Sequence, residues 1–298
     1  MRVLLLGRRG QVGWELQRAL APLGELIAPE RDGPAGSADL RAPEQLADTV
    51  RRLRPDVIVN AAAYTAVDRA ESEPGPAHTV NAAAPAALAR AAAELGAGLI
   101  HYGTDYVFDG SGDTPRDESA PTAPMSVYGH SKLAGEEAIR ASGCRHLILR
   151  TSWVYAARGG NFLRTMLRLA AERDRLRVVD DQFGAPTGAE LLADATAHAL
   201  RAWRSDARLG GTYHLAAAGA TSWHAYACHA IERARAAGLP VRVAREAIEA
   251  IPTAEYPTPA RRPLNSRLDC TRFQAAFGLV LPPWQQGVER VVDELAGT

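Results

Sequence analysis

The first half of the chain alternates short apolar runs with alanine-rich stretches of helical periodicity. The short runs suit buried strands, and the stretches between them are long enough to cross over a sheet as helices. Parallel strands joined in this way need helices on both faces of the sheet. The pattern therefore predicts an α/β protein with a doubly wound parallel sheet.

A glycine-rich turn follows the first predicted strand directly and opens the first helix. Its glycines, Gly7, Gly10 and Gly13, are spaced three residues apart. The free N–H groups and the dipole of a helix start suit a pyrophosphate, which favours a Rossmann-type dinucleotide site over a merely tight turn. No Gly-Lys-Ser/Thr follows, so a P-loop is excluded.

The predicted elements divide the chain into two parts. We expect strands at residues 2–6, 25–28, 56–61, 99–103, 146–151 and 177–179, and helices at 12–20, 43–53, 81–95 and 127–141. Beyond about residue 152, helical stretches at 162–173 and 223–237 are separated by proline-rich loops. We expect a dinucleotide-binding domain at 1–152 and a smaller C-terminal substrate-binding lobe at 153–298. Val178 and residues 211–215 are candidates for returning to the first domain.

The composition excludes several classes of protein. Acidic and basic residues balance at 34 each, so no net positive field attracts nucleic acid or an anionic membrane. No apolar run approaches the length of a membrane span, and the first strand begins too early for a signal peptide. Three widely spaced cysteines lack the pattern of a zinc site or a disulfide framework. We expect a cytoplasmic protein with reduced cysteines.

Lys132 is the only lysine among the 34 basic residues; the other 33 are arginines. It follows Tyr128 by four positions, so both lie on one face of a predicted helix. An ammonium near a phenol favours the phenolate and lowers a tyrosine pKa of about 10. Arginine's planar fork does not replace a compact ammonium in a narrow space. The pair predicts a general acid, with a packed tyrosine beside a surface lysine as the alternative.

Other candidate residues lie where predicted strands end. Thr104 directly follows the predicted strand at 99–103, at the edge of a parallel sheet where ligands bind, and its hydroxyl suits a substrate carbonyl. Glu30 lies about twenty residues beyond the glycine turn, where an acidic side chain accepts from the adenosine ribose of NADH. Arg8, Arg9 and Arg31 are close enough in sequence to hold the 2′-phosphate of NADPH, so the choice between the two nucleotides stays open.

The glycine turn, Thr104 and the Tyr128–Lys132 pair together resemble the extended short-chain dehydrogenase/reductases, in which Ser or Thr, Tyr and Lys form the catalytic set. Segments along nearly the whole chain narrow the resemblance to the dTDP-4-dehydrorhamnose reductase family. These segments are residues 10–13, 60–68, 104–108, 132–136, 150–155, 181–187 and 262–268. One departure is Gly103, where the family usually has serine.

The resemblance implies reduction of the C4 ketone of dTDP-4-dehydro-L-rhamnose to dTDP-L-rhamnose, the last step in making this sugar donor, with NADPH or NADH. It implies that Tyr128 donates a proton, that Thr104 hydrogen-bonds the ketone oxygen, and that Lys132 holds the nicotinamide ribose and lowers the pKa of Tyr128. The residues expected to line the cofactor are Gly7, Gly10, Gln11, Val12, Gly13, Glu30, Asp39, Leu40, Ala63, Tyr64, Thr65, Tyr102, Tyr128 and Lys132. Those expected to contact the sugar nucleotide are Thr104, Asp105, Trp153, Arg261 and Arg262, with the two arginines on its diphosphate.

The resemblance also bears on assembly and metal. It implies a homodimer, and Mg²⁺ at a subunit contact in some members, for which Glu190 is the matching acidic residue. Hydride transfer to a ketone needs no Lewis acid when Tyr128 and Thr104 are present, so we favour a salt-bridged Glu190.

Three other functions are compatible with parts of this pattern. A nucleotide-sugar 4,6-dehydratase would need a further acid after Thr104-Asp105, where this chain has Tyr106. A related epimerase would keep its nucleotide and consume no NAD(P)H. A non-catalytic regulatory subunit, like that of methionine adenosyltransferase, would bind the nucleotide without turnover.

Overall fold

The computed structural model describes residues 1–33 and 36–297. In chain order its strands are β1 (Arg2–Leu6), β2 (Glu25–Ile27), β3 (Asp32–Gly33), β4 (Gly36–Ser37), β5 (Val57–Asn60), β6 (Gly98–Thr104), β7 (Arg145–Thr151), β8 (Val154–Tyr155), β9 (Leu176–Val179), β10 (Phe183–Gly184), β11 (Thr187–Gly188), β12 (Gly211–His214), β13 (Thr221–Ser222) and β14 (Ile248–Ile251). Its α-helices are α1 (Gln11–Leu20), α2 (Pro43–Leu53), α3 (Val67–Ala70), α4 (Pro74–His78), α5 (Ala84–Leu95), α6 (Val127–Ala141), α7 (Phe162–Glu172), α8 (Ala189–Ser205), α9 (Trp223–Ala236), α10 (Thr271–Phe277) and α11 (Trp284–Ala296). A π-helical turn, Thr79–Ala83, joins α4 to α5.

A parallel sheet of six strands forms the centre of the fold, in the order β12-β7-β6-β5-β1-β2. The chain moves from β1 to β2 on one side and then returns to place β5 on the other side of β1. Ligands of such sheets bind outside the carboxyl ends of the strands, at the point where the order reverses. The fold therefore confirms the predicted doubly wound sheet and places a crevice between the ends of β1 and β5.

Helices cover both faces of this sheet. On one face, Leu16 of α1 and Trp203 of α8 pack with Tyr102 of β6. On the other face, Leu46 of α2 and Leu88 of α5 pack with the side chains that the central strands direct to that face. Because side chains alternate along each strand, both faces of the central strands are apolar, and burying them supplies the main stabilisation of the fold.

Two features of the sheet differ from the sequence-based expectation. The predicted strand at 177–179 forms β9, which pairs with β14 outside the main sheet, so Val178 does not return to it. The sixth central strand is β12, which pairs with β7, as residues 211–215 allowed. Helix α8 was not predicted, although it packs against α1. Residues 189–214 thus belong to the central layers, although they follow residue 152.

The remaining C-terminal segments form a smaller layer of helices. Aromatic side chains connect α7, α9 and α11: Phe162 contacts Trp223 and Tyr226, and Tyr226 contacts Trp284. Within the described ranges, no helix is both long and apolar enough to cross a membrane.

Candidate active site

The glycine turn brings the ends of β1 and β5 into direct contact. Gly7 has a φ of +84°, and a Cβ there would lie 2.7 Å from the backbone nitrogen of Ala62. A Cβ on Gly13 would lie 2.0 Å from the carbonyl oxygen of Gly7. Helix α1 begins at Gln11 without a side-chain cap, so its first N–H groups remain available to an anion. The turn fits the phosphates of a dinucleotide.

Charged side chains around this turn pair with one another. Arg9 Nη2 lies 2.8 Å from both carboxylate oxygens of Glu30, and both side chains are largely exposed. Asp39 accepts hydrogen bonds from Arg41, which lower the pKa of this carboxyl. Leu40 is only 5% exposed, and its side chain packs in the core under α2, so its place in the cofactor site stays a prediction for its backbone.

The loop after β5 is tied to helix α6 through Asn81, which the sequence analysis missed. The side chain of Asn81 accepts from the N–H of Tyr64 at 2.8 Å and donates to its carbonyl at 3.0 Å. It also lies 3.0 Å from Ser131 Oγ, and it is 1% exposed. Ala63 is half-buried and Thr65 is exposed along this loop. An asparagine in an alanine-rich helix start was the available sequence signal.

Tyr128 and Thr104 meet at the carboxyl end of the sheet. Ser126 caps α6 by accepting from the N–H of Gly129 at 3.1 Å, which fixes where the helix begins. Thr104, at the end of β6, donates to Asp105 Oδ1 at 3.1 Å. The Tyr128 ring packs edge-on against Tyr106, with the centroids 5.4 Å apart. The helix and the strand end thus bring two hydroxyl groups together.

Burial raises the pKa of Tyr128, and an interaction with Thr104 offsets part of that rise. Lys132 does not lower it as expected, because the Lys132 Nζ donates to the carbonyl oxygen of Tyr102 at 2.6 Å. The amine is therefore directed at the sheet rather than at the phenol. A raised pKa keeps Tyr128 protonated at neutral pH, which is the form that a proton donor needs.

The site of Lys132 is closed and polar. The side chain is 2% exposed, and its Nζ lies 3.3 Å from His101 Nε2. Burial lowers the pKa of Lys132 to about 8, and the carboxylate of Glu136 partly opposes this. Tyr102 contributes only its carbonyl, because its phenol hydrogen-bonds Thr196 at 2.7 Å in the opposite layer. That Tyr102 lines the cofactor stays a prediction for its backbone, since its phenol lies in the opposite layer.

A buried ion pair lies one helical turn beyond Lys132. Arg150 Nη2 donates to Glu136 Oε2 at 2.7 Å, and Arg150 Nε lies 3.0 Å from the same oxygen. Both side chains are at most 4% exposed. A Cβ at Gly103 would lie 2.4 Å from Glu136 Oε1 and 2.8 Å from Arg150 Cγ. Glycine at position 103 therefore matches the space that this pair occupies.

Two of the predicted substrate residues, Asp105 and Trp153, follow the ends of the adjacent strands β6 and β7. Asp105 is 3% exposed, and its Oδ2 has no hydrogen-bond partner among the described residues. Burial raises the pKa of Asp105 to about 6, with Ser266 and Thr104 opposing the rise. Trp153 has a φ of +48° and stacks on Trp223 with ring centroids 3.5 Å apart.

The predicted diphosphate arginines differ in their surroundings. Arg262 Nη2 pairs with Asp68 at 2.6 Å, and Arg262 Nη1 donates to the phenol oxygen of Tyr106 at 3.2 Å. It therefore lies beside the ring that packs on Tyr128. Arg261 is exposed. Arg262 therefore lies near the site, but one of its guanidinium nitrogens is paired with the Asp68 carboxylate.

Glu190 lies at the start of α8 and pairs with Arg290 at 3.1 Å. This ion pair is the arrangement that we favoured over a metal ligand. Within residues 1–33 and 36–297, no group of three histidine, cysteine or acidic side chains is placed to hold a metal ion.

Comparisons with known proteins agree with this geometry. Residues 1–296 match the family model described as the RmlD substrate binding domain. The dTDP-4-dehydrorhamnose reductase of Shigella flexneri is 58% identical over 298 residues, covering 100% of this chain and 99% of that protein.

Solved structures of similar proteins have the same fold. A dTDP-4-dehydrorhamnose reductase from Clostridium acetobutylicum is 33% identical, with a TM-score of 0.88 and coverage of 99% of both chains. The Bacillus anthracis reductase in complex with NADP is also 33% identical, with a TM-score of 0.86 and coverage of 98% of this chain and 99% of that one. The chain therefore belongs to the dTDP-4-dehydrorhamnose reductase family.

Proposed function

We propose that this protein reduces the C4 ketone of dTDP-4-dehydro-L-rhamnose to dTDP-L-rhamnose, with NADPH or NADH as the reductant. The observation that carries the proposal is the meeting of the Tyr128 phenol and the Thr104 hydroxyl beside the crevice that the glycine turn forms. A bound reduced nicotinamide supplies the hydride. The chain supplies the proton, the hydrogen bonds and the position of the reacting ketone.

Each residue of the site has a role consistent with its surroundings. Tyr128 is protonated at neutral pH and donates its proton to the ketone oxygen as negative charge develops there. Thr104, whose single O–H donates to Asp105 Oδ1 in this structure, turns that O–H to the same oxygen when the ketone binds. Lys132, in its ammonium form, holds the hydroxyls of the nicotinamide ribose. Gly7, Gly10 and Gly13 let the backbone approach the pyrophosphate, which binds the open start of α1.

Nucleotide choice depends on the Arg9–Glu30 pair. With NADH, Glu30 accepts from the adenosine ribose hydroxyls. With NADPH, Arg9 leaves Glu30 and pairs with the 2′-phosphate, an exchange that is easy because both side chains are largely exposed. The similar Bacillus anthracis protein was solved with NADP, so we propose that this chain accepts NADPH, and NADH remains open.

The test is a steady-state assay with enzymatically generated dTDP-4-dehydro-L-rhamnose and each reduced nucleotide in turn. We expect stoichiometric consumption of nucleotide and formation of dTDP-L-rhamnose. An epimerase would convert the sugar without consuming nucleotide, and a regulatory subunit would bind nucleotide without turnover. Either result would overturn the proposal.

A further inference from the structure

Lys132 occupies a closed polar site in which each hydrogen bond must have one donor and one acceptor. Its Nζ donates to the Tyr102 carbonyl at 2.6 Å and lies 3.3 Å from His101 Nε2. His101 is 1% exposed, so water does not supply a substitute partner for the ring. Whether the imidazole donates or accepts here depends on which ring nitrogen carries the proton.

Asn60, at the end of the neighbouring strand β5, determines which ring nitrogen of His101 carries the proton. Its Oδ1 accepts from the backbone N–H of Ala62 at 3.2 Å, and its Nδ2 lies 3.1 Å from His101 Nδ1. Because the oxygen is committed to Ala62, the amide presents its NH₂ group to the ring. His101 Nδ1 therefore accepts, and the proton of the neutral ring lies on Nε2.

The Nε2–H of His101 then points at Lys132. A neutral amine has a lone pair that accepts this hydrogen bond, whereas an ammonium has only donors. An ammonium would face a second donor at His101. If the ring exchanged its proton to avoid this, Nδ1–H would face the NH₂ of Asn60 instead. All of these contacts are satisfied together only when Lys132 is uncharged.

The other charged and titratable groups around Lys132 do not change this preference for an uncharged amine. Tyr128 lies one turn earlier in α6, and Glu136 lies one turn later. The charge of Glu136 is largely offset by Arg150 of β7, which pairs with it bidentately. Burial holds the pKa of His101 well below its ordinary value, and a charge on Lys132 would lower it further, so the ring is neutral with either form of the lysine. Burial likewise lowers the pKa of Lys132 to about 8.

We propose that His101 is a positioning residue that favours the neutral amine of Lys132 until a nicotinamide ribose binds, so that, above the pH at which this lysine titrates in the free protein, cofactor binding takes up one proton there. The ribose hydroxyls accept from the ammonium and outweigh the unfavourable contact with His101. The proton comes from solvent, and no covalent bond other than the new N–H forms or breaks. The role of the ribose rests on the proposed function, whereas the His101–Lys132 contact does not.

The single lysine permits a direct measurement. In protein prepared without a lysine-containing tag and labelled with ¹³Cε-lysine, one side-chain resonance reports Lys132 alone. We expect its titration midpoint to lie at least about one pH unit below the value of about 10.4 for a free lysine, and to rise when NADP⁺ is added. A midpoint near 10.4, or one that stays unchanged although NADP⁺ is shown to bind, would overturn the proposal.

Two histidine variants separate the role of His101 from burial alone. In His101→Gln the side-chain amide is free to turn its oxygen toward an ammonium, so we expect the midpoint to rise toward that of free lysine. His146→Gln makes the same chemical change on β7, where the ring contacts the Cys144 carbonyl, and should leave the midpoint unchanged. An unchanged midpoint in folded His101→Gln would assign the lowering to burial and reject the role of His101.

Proton uptake on binding gives a readout that needs no variant. Calorimetry of NADP⁺ binding to the wild-type protein in two buffers of different ionisation enthalpy measures the protons taken up. We expect uptake to increase from about pH 7 to about pH 9. Binding without uptake across this range would overturn the proposal. A low lysine midpoint with no NADP⁺ binding would instead refute the proposed function and support the His101–Lys132 contact.

Discussion

Asp105 is a buried carboxyl group beside the reacting hydroxyls, and its ionisation opposes folding. Burial raises its pKa to about 6, whereas an unfolded aspartate titrates near 3.9. A group whose pKa is raised on folding contributes stability below its unfolded value, and this contribution is lost as the pH rises through the folded value. The site therefore holds an ionised carboxylate at neutral pH at a cost in stability. Such a cost is typical of residues kept for binding or catalysis.

Replacing Asp105 with asparagine tests this directly. We expect Asp105→Asn to be more stable than wild type at pH 8, by about 3 kcal/mol at most, because a shift of one pKa unit corresponds to about 1.4 kcal/mol. At pH 4 the two proteins should have similar stability. Urea unfolding at both pH values is the measurement, and an equal difference at pH 4 and pH 8 would contradict the assigned pKa.

Tyr128 is the residue on which the proposed chemistry depends. Tyr128→Phe removes one hydroxyl, and we expect kcat to fall by at least about 100-fold while NADP⁺ binding is retained. Tyr213→Phe is the matched control, since its hydroxyl bonds the Leu209 carbonyl away from the site and should leave kcat unchanged. Comparable kcat values in the two variants would remove Tyr128 from the mechanism.

At the residue scale, the sequence predicted which candidate side chains lie together better than it predicted their electrostatics. Two features of the sequence indicated the candidate site: the spacing of Tyr128 and Lys132 on one helix, and the position of Thr104 at a strand end. The direction of the Lys132 amine depends on the Tyr102 carbonyl and on His101, which belong to a strand distant in sequence. A pattern of residues along one helix carries no information on such contacts.

At the scale of secondary structure, a buried ion pair connects α6 to β7 behind the catalytic helix. Glu136 lies one turn beyond Lys132, and Arg150 reaches it from the strand with bidentate geometry. Arg150 also lies over the Phe108 ring, 5.3 Å from its centroid. Removing one partner of such a pair leaves an uncompensated buried charge.

Arg150→Met should therefore destabilise the protein strongly. We expect a loss of about 3 to 5 kcal/mol in the free energy of unfolding, because the buried Glu136 carboxylate would keep only its longer contact with Arg140 Nη1, at 3.4 Å. Arg168→Met breaks an exposed pair with Glu172 and should cost at most about 1 kcal/mol. Denaturant unfolding of both variants is the measurement. Similar losses would show that the buried pair stabilises the protein no more than the exposed one.

Gly103 of β6 provides a steric test of the same contact. An added methyl group would lie 2.4 Å from Glu136 Oε1, and that carboxylate cannot move without giving up Arg150. We expect Gly103→Ala to reduce the free energy of unfolding by about 1 to 3 kcal/mol. A thermal melt at or above that of the wild type would mean that the ion pair can shift without cost.

The elements themselves were predictable where the pattern was local. Helices α2 and α6 have the predicted bounds, and β1 does as well. Helix α8 was missed because the change in composition after residue 152 pointed to a second lobe. Its burial depends on packing against α1, a contact between segments far apart in the chain.

At the scale of the whole molecule, the order of the central strands determines where the site forms. The crevice between β1 and β5 receives the glycine turn, and Thr104 and α6 lie at the same edge of the sheet. The sequence predicted this arrangement because parallel α/β sheets follow general rules of connection and ligand position. It left open whether residues 211–215 join the sheet, which β12 completes, and it did not predict that β9 pairs with β14, since short apolar runs do not specify their partners.

The central claim is that a hydride moves from the nicotinamide to C4 of the sugar while Tyr128 supplies the proton. A single turnover with NADPH deuterated at the transferring position and dTDP-4-dehydro-L-rhamnose measures this most directly. The account predicts dTDP-L-rhamnose carrying one deuterium at C4 with the wild-type protein, and formation of that labelled product at least about 100-fold more slowly with Tyr128→Phe despite retained nucleotide binding. Product without deuterium at C4, or equal rates of labelling by the two proteins, would contradict it.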